Sequence, residues 1–408
     1  MNPRTSESAS LNLAVCEHRT LEEFRALEPE WDALLARCPT RSLYMTFEWL
    51  WTWWASLGGA KRSLRILSVR EGEELVGIAP LMDVRRRWMG IPYESIEFLS
   101  APNFAFSHLT MSGILDIIAP VRTEEVLDAI LLHLEGTQSG WIYMRLDPLV
   151  EDGPCARFLP ELAKRHQMHT RWGAPEAAYE VALDSGWGHY VQATDPAMHS
   201  RIASYERRFA RSGRVNWEDE QSTQGPSELV KTIMDVERRS WKWAHGLSIN
   251  SRGYGGFFEA FLRLAAERGW LRLSILKSDD RPCAYLYGVK FENTVEAIKT
   301  AYDRSFERFS PGQILMGHYL RRAAAEGIHT VNLHIGAGEY KSRWATRERE
   351  YRVLFLERNT LKARLMCAVL FRLHFYGAFR AIPDLTKRLL RRLGWVPRWS
   401  ELTRMDQA

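Results

Sequence analysis

Ser310-Pro311-Gly312-Gln313 stands between a strand-like run ending Ala301-Tyr302-Asp303 and a helix-like run over 314–326. Ser310 takes the N-cap position and Pro311 the first helical position, where a missing N–H costs nothing. Gly312 keeps the first turn free of side chains. Backbone N–H groups at such a start are unpaired and the dipole end is positive, which makes the stretch a candidate anion site. An ordinary capped helix would carry the same four residues, so the surroundings decide the reading. Gly327 ends the helix and a strand over 330–335 follows. Gly336-Ala337-Gly338-Glu339-Tyr340-Lys341-Ser342-Arg343-Trp344 then gathers polar and aromatic groups behind that strand.

Working outward, three antiparallel strands are expected at 271–277, 283–291 and 295–302, with turns at Asp279-Asp280 and Glu292-Asn293. Helices are expected at 198–211, 227–243 and 255–268, and a short strand at 214–217. A last strand spans 351–356. The first half reads as an edge strand at 11–17, helices at 21–36 and 47–57, and a hairpin of 64–70 with 74–80. A helix at 120–134, a strand at 141–146, a helix at 154–165 and a strand at 179–183 complete it. Both halves run helix, helix, hairpin, strand, helix, strand. That order suggests two copies of one fold.

Composition sets the outer bounds. A chain of 408 residues with 46% hydrophobic and 26% charged content is long enough for two sizeable cores. Its sixteen tryptophans supply ample aromatic surface, most of it expected to pack in cores. The five cysteines (Cys16, Cys38, Cys155, Cys283 and Cys367) form no C-x-x-C pattern, so neither a zinc site nor a disulfide framework is expected. Residues 1–10 lack the apolar core of a secretory leader, and no apolar run is long enough to span a membrane. The net charge of +5 is concentrated in 358–398, where ten basic residues face the single acid Asp384, leaving the remainder net acidic. A phosphate-loop motif, a paired-histidine zinc motif and a nucleophile elbow are all absent from the sequence.

The set Trp241-Lys242, Ala301-Tyr302-Asp303, Ser310-Pro311-Gly312 and Tyr340-Lys341 with Arg343-Trp344 resembles the Gcn5-related N-acetyltransferase (GNAT) superfamily. More narrowly it resembles the branch of CelD-type proteins of cellulose and exopolysaccharide clusters, which shares its fold with the FemAB peptidoglycan transferases. Thr46-Phe47-Glu48-Trp49-Leu50 and Val76-Gly77-Ile78-Ala79-Pro80-Leu81 are weaker echoes, and the likeness spans roughly 20–356. It implies an α/β fold of mixed sheets arranged as tandem GNAT-like domains, 1–184 and 185–357, with a basic amphipathic helical tail at 358–408. It also implies that acetyl-CoA or another acyl-CoA docks where the fourth strand splays from the fifth, roles matched by 295–302 and 330–335.

Acyl transfer from a thioester to an amine needs a grip on the carrier's phosphates, an oxyanion donor, a base and an acid. The grip falls to Ser310, Pro311, Gly312 and Gln313, with Arg304 and Arg308 adding charge. Backbone N–H groups near 301–303 would polarise the carbonyl. Asp303, His334 and Glu339 are the candidate bases, and Tyr302 is the candidate acid. The resemblance places an acid more often where His334 stands, which leaves the choice between His334 and Glu339 open. It also implies that a lysine near Lys341 holds substrate and that Trp241-Lys242 lines the acceptor side. Tyr340 and Arg343 join these as substrate contacts. No metal is required.

These readings give an acyl-CoA-dependent N-acyltransferase acting on an amine of a sugar, amino acid or envelope precursor, in a cleft between two domains. A FemAB-like enzyme using aminoacyl-tRNA, and a non-catalytic accessory protein of polysaccharide assembly, are the alternatives. The net acidic body counts against tRNA, and no DNA is expected as partner. The basic helix with Arg201, Tyr205, Arg207, Arg208 and Arg211 reads as a solvated face or as a contact for an anionic carrier. In the tail, apolar residues at 361, 365, 366, 369, 370, 373 and 376 recur at helical spacing before Trp395 and Trp399. Such a helix either packs on the body or lies on an anionic membrane. The expected location is therefore the cytoplasm, with peripheral contact at the inner membrane face.

Overall fold

A computed structural model describes residues 12–88, 90–101, 113–220, 225–250, 253–335 and 339–371. Among them, one compact unit comprises residues up to Leu50, Gly58–Pro175 and the chain from Tyr351 on, and the other comprises Trp51–Leu57 and Glu176–Glu350.

The first unit begins with β1 (Leu13–His18), α1 (Leu21–Ala26) and α2 (Glu28–Ala36). A capping box of Thr20 and Glu23 starts α1. The single helix expected over 21–36 is broken at Leu27, because Pro29 offers no N–H and its ring excludes the carbonyl four residues back. Next come α3 (Phe47–Leu57), β2 (Arg62–Glu71), β3 (Glu74–Trp88), β4 (Ile91–Phe98), α4 (Thr123–Gly136), β5 (Trp141–Val150), α5 (Pro154–Arg165) and β6 (His169–Trp172). Strands β4 and β6 were not expected. Trp31, Trp49 and Trp141 are fully buried, with the Trp31 indole N–H donating to the Met45 carbonyl at 2.9 Å.

The second unit runs β7 (Glu176–Ala182), α6 (Gly186–Ala193), α7 (Pro196–Ala210), β8 (Val215–Asp219), α8 (Pro226–Arg239), α9 (Trp241–Ala244) and α10 (Gly255–Glu267). It continues with β9 (Leu271–Ser278), β10 (Arg281–Phe291), β11 (Thr294–Tyr302), α11 (Pro311–Ala325), β12 (Thr330–Ile335) and α12 (Glu339–Trp344). Helix α6 was not expected. The helix expected at 227–243 divides at Ser240, whose extended backbone (φ −83°, ψ 157°) caps α9. Asp279 and Asp280 both adopt positive φ (48° and 65°), the turn that two-residue hairpins favour. Gly327, at φ 70°, stops α11 as expected.

The last elements among the described residues are β13 (Arg347–Glu357) and α13 (Leu361–Leu370). The charge run Arg347-Glu348-Arg349-Glu350 forms the first part of β13, with Arg347, Glu348 and Glu350 exposed. Its charges still find partners, with Arg347 3.2 Å from Asp184 and Arg349 3.6 Å from Glu180.

Both units share a strand plan. In the first, β1, β2, β3 and β4 are successive antiparallel neighbours and β5 joins β4 in parallel after the α4 crossover. In the second, β8, β9, β10 and β11 are successive antiparallel neighbours and β12 joins β11 in parallel after α11. This is the α/β architecture with mixed sheets that the resemblance implied, and the repeated plan is the one that the order of elements suggested.

The part of the tail that is described packs on the first unit. Ala363, Cys367, Leu370 and Phe371 are buried against Ile142, Tyr143 and Phe355. The buried face shares only Leu370 with the described part of the stripe read from sequence: Leu361 and Leu365 of that stripe are 75% and 61% exposed. The small side chains of Ala363 and Cys367 are fully buried at this contact. The remaining expectations for the tail, at 372–408, lie outside the described residues. Among the described residues, no helix is long and apolar enough to cross a membrane.

Candidate active site

The parallel pair β11 and β12 is joined only from Thr294 to Glu296 on one side and from Thr330 to Asn332 on the other. Beyond Glu296 the strands continue without pairing to each other, and β12 carries an irregularity at His334, whose φ is 63°. The result is a gap between the two strands, at the place where a splay was expected. Asp303 N–H donates to the Cys283 carbonyl of β10 at 2.8 Å. Since backbone groups alternate sides along a strand, those of Thr300 and Tyr302 face away from β10, toward the gap.

The α11 start stands beside Tyr302. A methyl group placed on Gly312 would lie 3.6 Å from the Tyr302 ring, in ordinary contact. Ser310 takes the N-cap position as expected, but with a left-handed backbone (φ 56°) and no side-chain hydrogen bond to the first turn. Its hydroxyl therefore leaves the Gly312 N–H to another acceptor, while the Gln313 N–H donates to the Ser310 carbonyl at 3.0 Å. Pro311 is buried and sits at the first helical position, while Gly312 and Gln313 are partly exposed. Arg308 is exposed, with its guanidinium 4.6 Å above the Phe309 ring.

The equivalent features of the first unit differ in charge. The N-cap of α4, Arg122, is likewise left-handed (φ 49°), but Glu124 and Glu125 occupy its first turn. The first turn of α11 holds no acid. Between β4 and β5, Glu97 is filled on both oxygens, by Arg86 at 2.5 Å and Arg145 at 2.8 Å.

The candidate chemistry residues do not share one environment. Asp303 is 3% exposed at its side chain and caps the short turn Arg304–Phe309 through the Ser305 N–H at 2.9 Å. It also pairs with Arg239 at 2.6 Å and Arg281 at 2.7 Å. Against burial, Ser305 and these arginines hold its carboxyl below the usual range. Its carboxylate is committed to holding the turn. His334 lies 3.4 Å from Glu296, across the base of the gap. Burial, aided by Lys341, pushes its pKa down to about 3, so the ring is neutral and a weak proton acceptor near pH 7. Tyr302 is half-buried, 3.4 Å from Glu307, and burial keeps its phenol protonated beyond the ordinary range. Glu339 opens α12, immediately beyond the gap.

The substrate candidates gather more tightly. The Tyr340 hydroxyl lies 3.4 Å from the Gly312 carbonyl. Lys341 donates to the Ile335 carbonyl at 2.7 Å, and Lys242 donates to the Thr300 carbonyl. Trp241 is partly exposed, edge-on to His245. Arg343 is exposed, and its neighbour Trp344 is fully buried core, accepting from the Tyr190 hydroxyl through its carbonyl. The arginines of α7 are exposed, while Met198, Ile202 and Phe209 form its buried face.

Sequence reasoning missed Lys299, Glu296 and the role of Glu237. Lys299 could have been noticed as a lysine in the middle of a strand whose neighbours on both sides are apolar or small.

Comparison with known proteins follows the same division. Residues 197–342 match the acetyltransferase (GNAT) domain family. No curated protein is recognisably similar to the chain. Among solved structures, FemX superposes with a TM-score of 0.57 at 12% identity, covering 80% of this chain and 95% of its own. L-PGS from Bacillus licheniformis superposes with a TM-score of 0.51 at 12% identity, covering 83% and 95%. At these identities the likeness is one of fold. Residues 197–342 of this chain form a GNAT acetyltransferase domain, the catalytic fold of an N-acyltransferase.

Proposed function

We propose that the protein is an acyl-CoA-dependent N-acyltransferase, with acetyl-CoA as donor. Its acceptor is an amine of a sugar, amino acid, or cell-envelope or exopolysaccharide precursor. The observation that carries this reading is the parting of β11 from β12 beside an acid-free helix start. In this reading the donor's phosphates lie against the first turn of α11 at Ser310, Pro311, Gly312 and Gln313, with Arg308 outside. The thioester arm enters the gap, where the Tyr302 N–H faces the carbonyl oxygen. The acceptor nitrogen attacks the thioester carbon, forming the C–N bond as the C–S bond breaks. Glu339 takes the proton from nitrogen and the Tyr302 phenol gives one to sulfur. Trp241, Lys242, Tyr340, Lys341 and Arg343 hold the acceptor.

The test is a calorimetric titration of the purified full-length chain with acetyl-CoA, with Gly312→Asp as control. Micromolar binding abolished by the aspartate supports the reading, because the variant sets a negative charge where a phosphate would lie. Absence of binding to the wild-type chain overturns it and shifts weight to an aminoacyl-tRNA donor or to an accessory role in polysaccharide assembly. A cytoplasmic enzyme touching the inner membrane face through its basic C-terminal residues remains part of this proposal. The exposed Leu361, Leu365 and Val369 of α13 support it.

A further inference from the structure

Three lysines from three elements converge beside the gap. Lys242 of α9 donates to the Thr300 carbonyl. Lys299 of β11 donates to the Leu247 carbonyl at 2.9 Å. Lys341 of α12 donates to the Ile335 carbonyl at 2.7 Å and lies 3.4 Å from that of His334. Every acceptor is a neutral backbone carbonyl. Among the described residues, no carboxylate forms an ion pair with any of the three.

One acid faces them. Glu237 of α8 is fully buried; one carboxylate oxygen accepts from the Tyr285 hydroxyl and the other has no hydrogen-bond partner. It attracts Lys242 and Lys299 without touching either. A single carboxylate cannot neutralise three ammonium groups. Burial comes first, and then repulsion from Lys299 and Lys341 pushes Lys242 down to about 7. Burial and Lys299 likewise bring Lys341 to about 8. The other titratable groups beside the cluster are His334, which is neutral, and Glu296, which pairs with it.

A purely structural role accounts poorly for this arrangement. Amines tucked among carbonyls with no counter-charge cost free energy that a methionine at the same place would not. All three residues nonetheless remain partly exposed. The polarity of the cluster fits a ligand group that is negative, compact and rich in acceptors.

We infer that Lys242, Lys299 and Lys341 form a binding site for an oxyanion, carboxylate or phosphoryl, carried by the molecule that accepts the acyl group. Naming that molecule the acceptor rests on the acyl-transfer reading; the anion site itself does not. Lys242 holds the Thr300 carbonyl two residues before Tyr302, so an anion seated here lies beside the proposed thioester position. The substrate class is then an amine bearing its own negative group, such as an amino acid or a phosphorylated amino sugar, rather than a neutral amine.

The experiment titrates the full-length chain, without CoA, with orthophosphate and separately with malonate, by calorimetry at pH 7.5 in two buffers of different ionisation enthalpy. Saturable binding accompanied by proton uptake is expected, because an anion would recharge amines that are partly neutral. Lys299→Gln should weaken it at least tenfold and Lys299→Arg should largely restore it. Gly312→Asp should leave it intact. Preference for phosphate or for malonate identifies which oxyanion the site is built for. The inference is overturned by no saturable binding of either anion. Equal affinity in a Lys299→Gln chain of native circular dichroism would overturn it too, as would loss of binding in Gly312→Asp. If Lys299→Gln does not fold, Lys242→Gln takes its place under the same criterion. Anion binding without acetyl-CoA binding would sink the acyl-CoA reading alone, and the converse would sink only the anion site.

Discussion

The Tyr340 hydroxyl reaches the Gly312 carbonyl across 3.4 Å, joining the start of α12 to the first turn of α11. One hydrogen bond links an acceptor-side residue to the residue on which donor binding is proposed to depend. Its length marks it as weak, so its effect should fall on alignment more than on folding.

Tyr340→Phe is expected to change stability by less than about 1 kcal/mol while lowering acetyl-CoA affinity several-fold. Gly312→Ala should be nearly silent in the free protein, because its methyl group meets Tyr302 at 3.6 Å. Thermal melts and calorimetric titrations of the two variants separate these effects. A large stability loss in Tyr340→Phe would show the contact to be structural.

Asp303→Asn separates cap from base. Asparagine keeps an acceptor for the Ser305 N–H but loses the charge that faces Arg239 and Arg281. A destabilisation of about 2 kcal/mol is expected, with the pH–rate profile unchanged in shape. Loss of the acid limb of that profile at unchanged stability would instead make Asp303 the proton acceptor.

Glu97 gives the first unit its acid sensitivity. Against burial, Arg145 and Arg86 hold its carboxyl at about 2, below the ordinary 4.5. A depressed carboxyl contributes stability that is present above the ordinary value and is lost as pH falls toward 2. Glu97→Gln should cost about 3 kcal/mol at pH 7 and flatten the urea-denaturation midpoint between pH 4.5 and 2. An unchanged acid limb would mean the pair contributes nothing to the free chain.

The lysine cluster should act in the opposite pH range. Lys242 and Lys341 have folded values near 7 and 8 against an ordinary 10.5, so the unfolded chain binds more protons between those limits. Their contribution therefore makes the fold more stable as pH rises from 7 to 10. Lys242→Met should raise the melting temperature at pH 7 and leave it nearly unchanged at pH 10. A melting temperature that falls equally at both would show the amine to be needed for packing.

Membrane contact is best tested on a chain ending at Phe371. Removing everything from 358 onward would also take out Ala363, Cys367 and Leu370, which are core residues. Flotation with vesicles containing an anionic phospholipid should recover the full-length chain and lose the shortened one. Equal recovery would locate any lipid contact elsewhere.

Local signals were the legible part of this fold. Pro311, Gly312 and Gly327 announced the bounds of α11, and Asp279-Asp280 announced the turn between β9 and β10. What escaped depended on residues distant in the chain. Strand β4 is hidden because Pro92, Glu94 and Glu97 break its apolar pattern, and Glu97 is tolerated inside because Arg86 of β3 and Arg145 of β5 pair with it. The α13 stripe misled because Ala363 and Cys367, with Leu370 alone of the leucines, are buried there, while Leu361 and Leu365 stay exposed. In the site, Tyr302, Gly312, Tyr340, Lys242 and Lys341 were each visible as polar or special residues at element ends. Lys299 was passed over although its mid-strand place among apolar or small neighbours is a signal, and its role shows only once Lys242 and Lys341 are known to stand beside it.

Only three residue pairs join β11 to β12, so the sheet has a seam within the second unit. On one side lie β8 to β11, on the other β12 and β7. With so few rungs across it, the seam is the place where this sheet can flex with least loss of hydrogen bonding. A molecule lying in the gap would supply the missing rungs and stiffen it. Amide exchange at Thr300 and Tyr302, which face the seam, should then slow on loading far more than exchange at Ala301 or Asp303, which face β10.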